Sequence, residues 1–124
     1  MKSVREMLKG SDELLADEET VIITGEGSVV GCGWATTIQA VLSVTAIPAG
    51  YSDETLDVTI VNYDPKTGEE DDLITFTQVT SSTGDEWKYE DTNKRIGNHI
   101  KAKWAITGTS PDYDFKIVAH LKKQ

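Results

Sequence analysis

The chain is poor in cysteine, proline and positive charge: Cys32 stands alone, there are three prolines, and twelve basic side chains face twenty-one acidic ones. A single cysteine excludes an internal disulfide and a cysteine-rich zinc site. The net charge of −9 argues against nucleic acid as a partner, because such binding needs a basic surface to displace counterions. No apolar run approaches the roughly 18–20 residues of a spanning helix, so no membrane partner is expected. The N-terminus shows no apolar signal core with a small-residue cleavage site, and synthesis without export is expected. The 124 residues suffice for one domain with a single core.

The charge is uneven. Residues 1–98 hold 7 basic and 19 acidic side chains, whereas residues 99–124 hold five lysines against Asp112 and Asp114. An acidic body thus ends in a basic strip. Attraction within the chain is one reading, and self-association or an acidic partner is the other.

What the chain does have is period-two alternation. Within 36–47, Ile38, Ala40, Leu42, Val44 and Ala46 share one face. Leu56, Val58 and Ile60 do so within 55–61, Ile100, Ala102, Trp104 and Ile106 within 99–107, and Tyr113, Phe115, Ile117, Ala119 and Leu121 within 113–121. Such alternation predicts half-buried strands. The run Asp64-Pro65-Lys66-Thr67-Gly68 is turn chemistry and predicts a hairpin between Ile60 and Ile74. Its return strand is expected over 72–80, with Ile74 and Phe76 inward. Residues 86–91 form a weaker candidate strand around Trp87 and Tyr89, and 20–24 another. Before that, 4–8 allows a short edge strand and 11–15 a helical turn. The expected division is an irregular N-terminal arm over 1–19 and one domain over 20–124. Seven to eight short strands without a clear helix predict an all-β antiparallel sandwich or barrel, with one buried face per sheet.

Several residue groups carry chemistry on paper. Asp64 and Glu69-Glu70-Asp71-Asp72 cluster near the hairpin tip, as oxygen ligands for calcium or as a solvated acidic edge that resists strand pairing. A four-residue loop over 108–111 would pair the last two strands, setting His99 opposite His120 and Lys103 opposite Lys116. The outward face would then be a basic strip of Lys101, Lys103, Lys116, His120 and Lys122. Two histidines without a third ligand do not make a metal site. Cys32, between glycines, reads as a nucleophile only with a base beside it, and otherwise as a small buried hydrophobe. The glycine pairs 25/27 and 31/33 lack the third glycine of a dinucleotide fingerprint. Trp34, Trp87 and Tyr89 are candidates for a sugar platform, for core packing or for an oligomer contact, with Trp87 and Tyr89 at strand spacing for one exposed face, whereas Trp104 reads as core. No catalytic residue, cofactor site or metal site is assigned.

The succession Leu56-Asp57-Val58-Thr59-Ile60, Ile74-Thr75-Phe76-Thr77-Gln78-Val79, Ile106-Thr107-Gly108-Thr109-Ser110-Pro111 and Tyr113-Asp114-Phe115-Lys116-Ile117 resembles a group of small tailed-phage virion proteins. The resemblance covers about residues 34–122. It departs at 62–68, where the group often has an aspartate-glycine turn followed by tryptophan. The resemblance implies a jelly-roll sandwich that decorates or cements the capsid exterior without catalysis. It implies a homotrimer, the major capsid protein as partner, and a place on the virion surface after synthesis in the host cytoplasm. Contact candidates are Val4, Met7, Leu8, Leu14 and Leu15 of the arm, with Trp34, Trp87, Tyr89, Lys101, Lys103, Lys116 and Lys122. A carbohydrate-binding jelly-roll module, free or on a phage fibre, and a tail or head–tail junction protein are the alternatives.

Overall fold

The computed structural model describes residues 10–90 and 96–123. Among these residues, nine strands form two antiparallel sheets: β1 (Gly10–Val21), β2 (Gly25–Glu26), β3 (Val30–Gly31), β4 (Thr37–Ala46), β5 (Thr55–Tyr63), β6 (Glu70–Thr75), β7 (Gly84–Glu90), β8 (His99–Thr107) and β9 (Tyr113–Lys122). One sheet has the order β1-β9-β4-β7, the other β2-β8-β5-β6, with β3 also on β8. β2 and β3 follow each other along one edge of β8, Gly25 opposite Trp104 and Val30 opposite Ile100. They are two pieces of one interrupted strand, which leaves four strands per sheet.

The pairing is nested: β1 with β9, β2 and β3 with β8, β4 with β7, β5 with β6. The chain is therefore one long double-stranded ribbon closed at the 64–68 turn. Folding this ribbon over brings β9 beside β4 and β8 beside β5. That is the jelly roll; of the sandwich or barrel that alternation allows, the sandwich is what forms.

The tip forms as its residues dictate. Gly68 takes φ +76° and donates its N–H to Asp64 O at 2.7 Å. Asp64 Oδ1 accepts from Lys66 N at 3.0 Å and Oδ2 from the Thr67 hydroxyl at 3.0 Å. These bonds, Lys66 first, hold the Asp64 carboxyl below its ordinary value. The return strand is shorter than expected, ending at Thr75. Phe76 N still reaches Val58 O, and Val79 exchanges both backbone bonds with Leu56.

The inner faces meet in one core. The inward sets of β4, β5, β8 and β9 read from alternation are buried, apart from Ala46 and the half-buried Ile106. Trp104 meets Phe115 edge-on, ring centroids 5.3 Å apart at 73°, so these two rings join the sheets.

Two expectations are corrected. Residues 10–19 are not an irregular arm: β1 pairs along β9 from Gly10–Lys122 to Val21–Tyr113, and Leu15 lies in the core. A boundary at residue 19 falls inside this strand, and 11–15 is extended rather than helical. The bulge between Leu14 and Ala16 explains the irregular look, because it breaks the period-two pattern there. Val4, Met7 and Leu8 lie outside the described residues. Second, 108–111 is not a hairpin loop, since β8 and β9 belong to different sheets. Gly108, at φ +112°, lies against the Glu54 backbone. Thr109 donates to Asp53 from its N–H at 3.1 Å and its hydroxyl at 2.9 Å. These contacts tie the segment to the 52–54 corner and carry it across the sandwich.

Candidate functional site

The separation of β8 from β9 splits the expected basic strip. His99 stands opposite Gly31, and His120 between Asp12 and Gln39. Lys101 and Lys103 project from one sheet, Lys116 and Lys122 from the other.

Lys101 is only 5% exposed. Its Nζ lies 2.8 Å from Glu70 Oε2, 3.1 Å from Glu26 Oε2 and 4.0 Å from the Tyr63 ring centroid. Lys103 Nζ lies 2.6 Å from Glu70 Oε1. Glu70 thus bridges two lysines, and the charge contrast is here used inside the chain. The bond to Glu70, then that to Glu26, raises the Lys101 pKa, while Lys101 first and Lys103 second lower that of Glu70. A depressed carboxyl stabilises the fold above its unfolded pKa and loses that contribution as pH falls through the folded one. Below about pH 4.5, the ordinary value of this carboxyl, the wild-type melting temperature should therefore fall faster than that of Glu70→Gln. Parallel melting curves for the two proteins between pH 5 and about pH 3 would refute the linkage.

The other chemistry-bearing residues are also engaged. Cys32 is buried, its Sγ 3.3 Å from Gly97 O, and burial pushes its thiol up to about 11. That favours the small-hydrophobe reading over the nucleophile. An open depression of about 730 Å³ lies between Tyr63, Pro65 and Glu69 of the hairpin tip and residues 97–99. Asn62 Oδ1 in its wall accepts from Gly97 N at 2.8 Å. Among the described residues no three His, Cys, Asp or Glu side chains converge as a metal ion requires.

The surface with unspent character is the outer face of β1-β9-β4-β7. Its registers set three rows across four strands. One row is Leu14, Val118, Val41 and Trp87; the next is Asp12, His120, Gln39 and Tyr89; the third is Asp17, Lys116, Ser43 and Asp85. Leu14 and Trp87 are each 54% exposed and Tyr89 is 68% exposed. Val41 stands apart from the inner core yet is only 8% exposed. The Trp87 indole explains this, because it reaches across β4 and stacks on His120 with centroids 6.0 Å apart at 10°. His120 Nδ1 lies 2.6 Å from Asp12 Oδ1, and Gln39 Nε2 donates to the Tyr89 hydroxyl at 2.6 Å. The result is a flat, ordered patch: apolar in one row, hydrogen-bonding in the next.

Of the residues singled out from sequence, Trp87, Tyr89, Leu14, Lys116 and His120 meet on this face. Lys122 lies further along β9. Trp34 is half-buried against the core, and Leu15 and Lys101 are buried. Sequence reading missed Val41, Val118, Gln39 and Asp12 as members. The apolar Val41 and Val118 among outward positions were the available signal.

No protein-family model matches the chain, and no curated protein matches its sequence. Solved structures do share its fold. The SPBc2 prophage-derived protein YomS is similar with a TM-score of 0.58 and 13% identity, over 98% of this chain and 100% of that one. VP2 of the infectious bursal disease virus subviral particle is similar with a TM-score of 0.52 and 13% identity, over 96% of this chain and 33% of VP2. This chain thus corresponds to about a third of VP2. At such identities the likeness concerns the fold.

Proposed function

We propose that this protein is a non-catalytic virion component that decorates or cements the exterior of a phage capsid, docking through the outer face of β1-β9-β4-β7. The carrying observation is the exposed row of Leu14 and Trp87 beside Tyr89, on a rigid sheet whose polar neighbours are already hydrogen-bonded. Such a patch suits a preformed protein surface, since little side-chain freedom remains to be lost on binding. Fold likeness to a prophage-derived protein and to a subviral-particle protein supports the setting, and so do the strand and turn motifs shared with small virion proteins. The partners are the major capsid protein and further copies of the chain in a symmetric oligomer. Repetition over many equivalent sites makes weak single contacts sufficient.

Co-sedimentation with assembled capsids of a phage encoding this protein tests the reading. Trp87→Ala should weaken capsid binding about tenfold or more, as loss of a central aromatic anchor does, while far-ultraviolet dichroism stays that of the wild type. Absent co-sedimentation, or equal binding by Trp87→Ala, overturns it. A truncation test of the N-terminal segment must end at residue 9, because removal of β1 strips a sheet edge and takes Leu15 from the core.

A second reading is carbohydrate binding on the same face. An indole flanked by Tyr89, Gln39, His120 and Asp12 offers a stacking surface beside hydroxyl-binding groups. A glycan array giving signal for the wild type and none for Trp87→Ala would favour it over the capsid.

A further inference from the structure

The edges of the two sheets differ in one respect that bears on self-association. A free edge is a row of unpaired N–H and C=O groups, and proteins blunt it with charged side chains, proline, bulges or short strands. β1 is broken twice in its register with β9 and carries Asp12, Glu13, Asp17, Glu18 and Glu19. β6 begins Glu70-Asp71-Asp72 and shifts register against β5. β2 and β3 have two residues each. β7 has no bulge and is not short, and its charges are of both signs, Glu86 and Lys88 sharing the face of Leu42 and Ala40. It runs seven residues, without proline, in unbroken register along β4 from Ile38–Glu90 to Val44–Gly84. Its middle carries both signs of charge, in Asp85, Glu86 and Lys88.

We propose that β7 is a self-pairing edge: it adds antiparallel to β7 of a second copy, about a two-fold axis at Trp87. The order Asp85-Glu86-Trp87-Lys88-Tyr89 is complementary to its own reverse. In this register Glu86 faces the partner's Lys88 and Lys88 the partner's Glu86. Trp87 faces its own copy, and Asp85 faces the hydroxyl-bearing Tyr89. A centre at 86 sets Glu86 against itself, and a centre at 88 sets Lys88 against itself. Like charges directly opposite are unfavourable and opposite ones favourable, so these alternatives lose to the centre at 87.

The geometry on each side is ready. Glu86 and Lys88 alternate with Trp87 and Tyr89, so the charged pairs fall on one face of the joined sheet and the aromatics on the other. Glu86 Oε1 accepts from Thr77 N at 2.8 Å, which fixes the position of its carboxylate. Pairing turns two four-stranded sheets into one of eight strands, with two Trp87 and two Tyr89 side chains at the centre of its outer face. The contact is isologous, so it closes at two copies instead of growing into a fibre. It does not depend on the capsid reading, and a protein that ignores capsids would still form it.

Light scattering after size exclusion should give about 27 kDa, twice the 13.6 kDa chain. Lys88→Glu should raise the dimer dissociation constant about tenfold or more, and the double variant Glu86→Lys/Lys88→Glu should recover it. The register itself is read by cross-linking. Two Cα atoms directly opposite in an antiparallel pair lie about 4.5–5.5 Å apart, within disulfide range. Trp87→Cys should thus form a disulfide dimer on mild oxidation, and Lys88→Cys should not; the native Cys32 is buried and does not compete. A monomer at millimolar concentration, a mass near 41 kDa, a dimer indifferent to Lys88→Glu, or cross-linking through position 88 but not 87 would each overturn the proposal.

Discussion

Gly108→Ala should severely destabilise the fold. Gly108 sits at φ +112°, and a Cβ built there would lie 2.5 Å from Glu54 Cα and 2.9 Å from Glu54 N. The conformation alone costs a non-glycine residue about 1–3 kcal/mol. The overlap is with backbone, which cannot swing aside as a side-chain tip can. Glu54 is itself buried, and its carboxylate takes the Ser52 N–H at 3.1 Å. Relief therefore means moving the 52–54 corner or the entry to β9. A total loss above about 3 kcal/mol is expected, against a typical domain stability of about 5–15 kcal/mol. Gly68→Ala is the control: φ is +76° there, but nothing lies within 4 Å of the added methyl. It should lose only about 1–2 kcal/mol. Urea denaturation of both variants checks this, and equal losses would show that the crossing is not fixed by the Gly108–Glu54 contact.

Trp104→Ala should lose about 3–5 kcal/mol, the usual effect of emptying a large aromatic site in a core. Trp104 is buried on β8, opposite Val58 of β5 and Gly25 of β2, and its ring meets Phe115 of the other sheet. Removing it leaves a void between the sheets and an uncovered Phe115. At roughly 3–4 °C per kcal/mol for a chain of this size, the melting temperature should fall by about 10–20 °C. Trp104→Phe keeps a ring against Phe115 and should lose less than half as much. A loss under about 1 kcal/mol for Trp104→Ala would mean that the inter-sheet core is held elsewhere.

How far each feature was legible follows from the range of the interaction behind it. The 64–68 turn was readable because its bonds link residues at most five apart. Trp87 and Tyr89 were readable as sharing a face because strand spacing alone puts them there. The basic strip was not, since it assumed that neighbouring strands in sequence pair in space. Lys101 looked like any outward lysine until Glu26, Glu70 and Tyr63 closed over it from three other strands. β1 was illegible because a bulge interrupts its alternation and five acidic residues mask its three core members, Leu15, Ala16 and Val21.

By itself, then, the sequence determined which faces are buried and where the ribbon turns at its tip. Period-two alternation records burial on one side of a strand, and turn residues act over a few bonds. Only the tertiary structure decided who neighbours whom. The nested pairs β1–β9, β2–β8 and β4–β7 join segments separated by long stretches of chain. The further pairs β4–β9 and β5–β8 exist only once the ribbon is wrapped. A strand's own residues look the same whichever neighbour covers them. The patch that unites Leu14, Val118, Val41 and Trp87 is therefore a product of register, set by the closing of one core between two sheets.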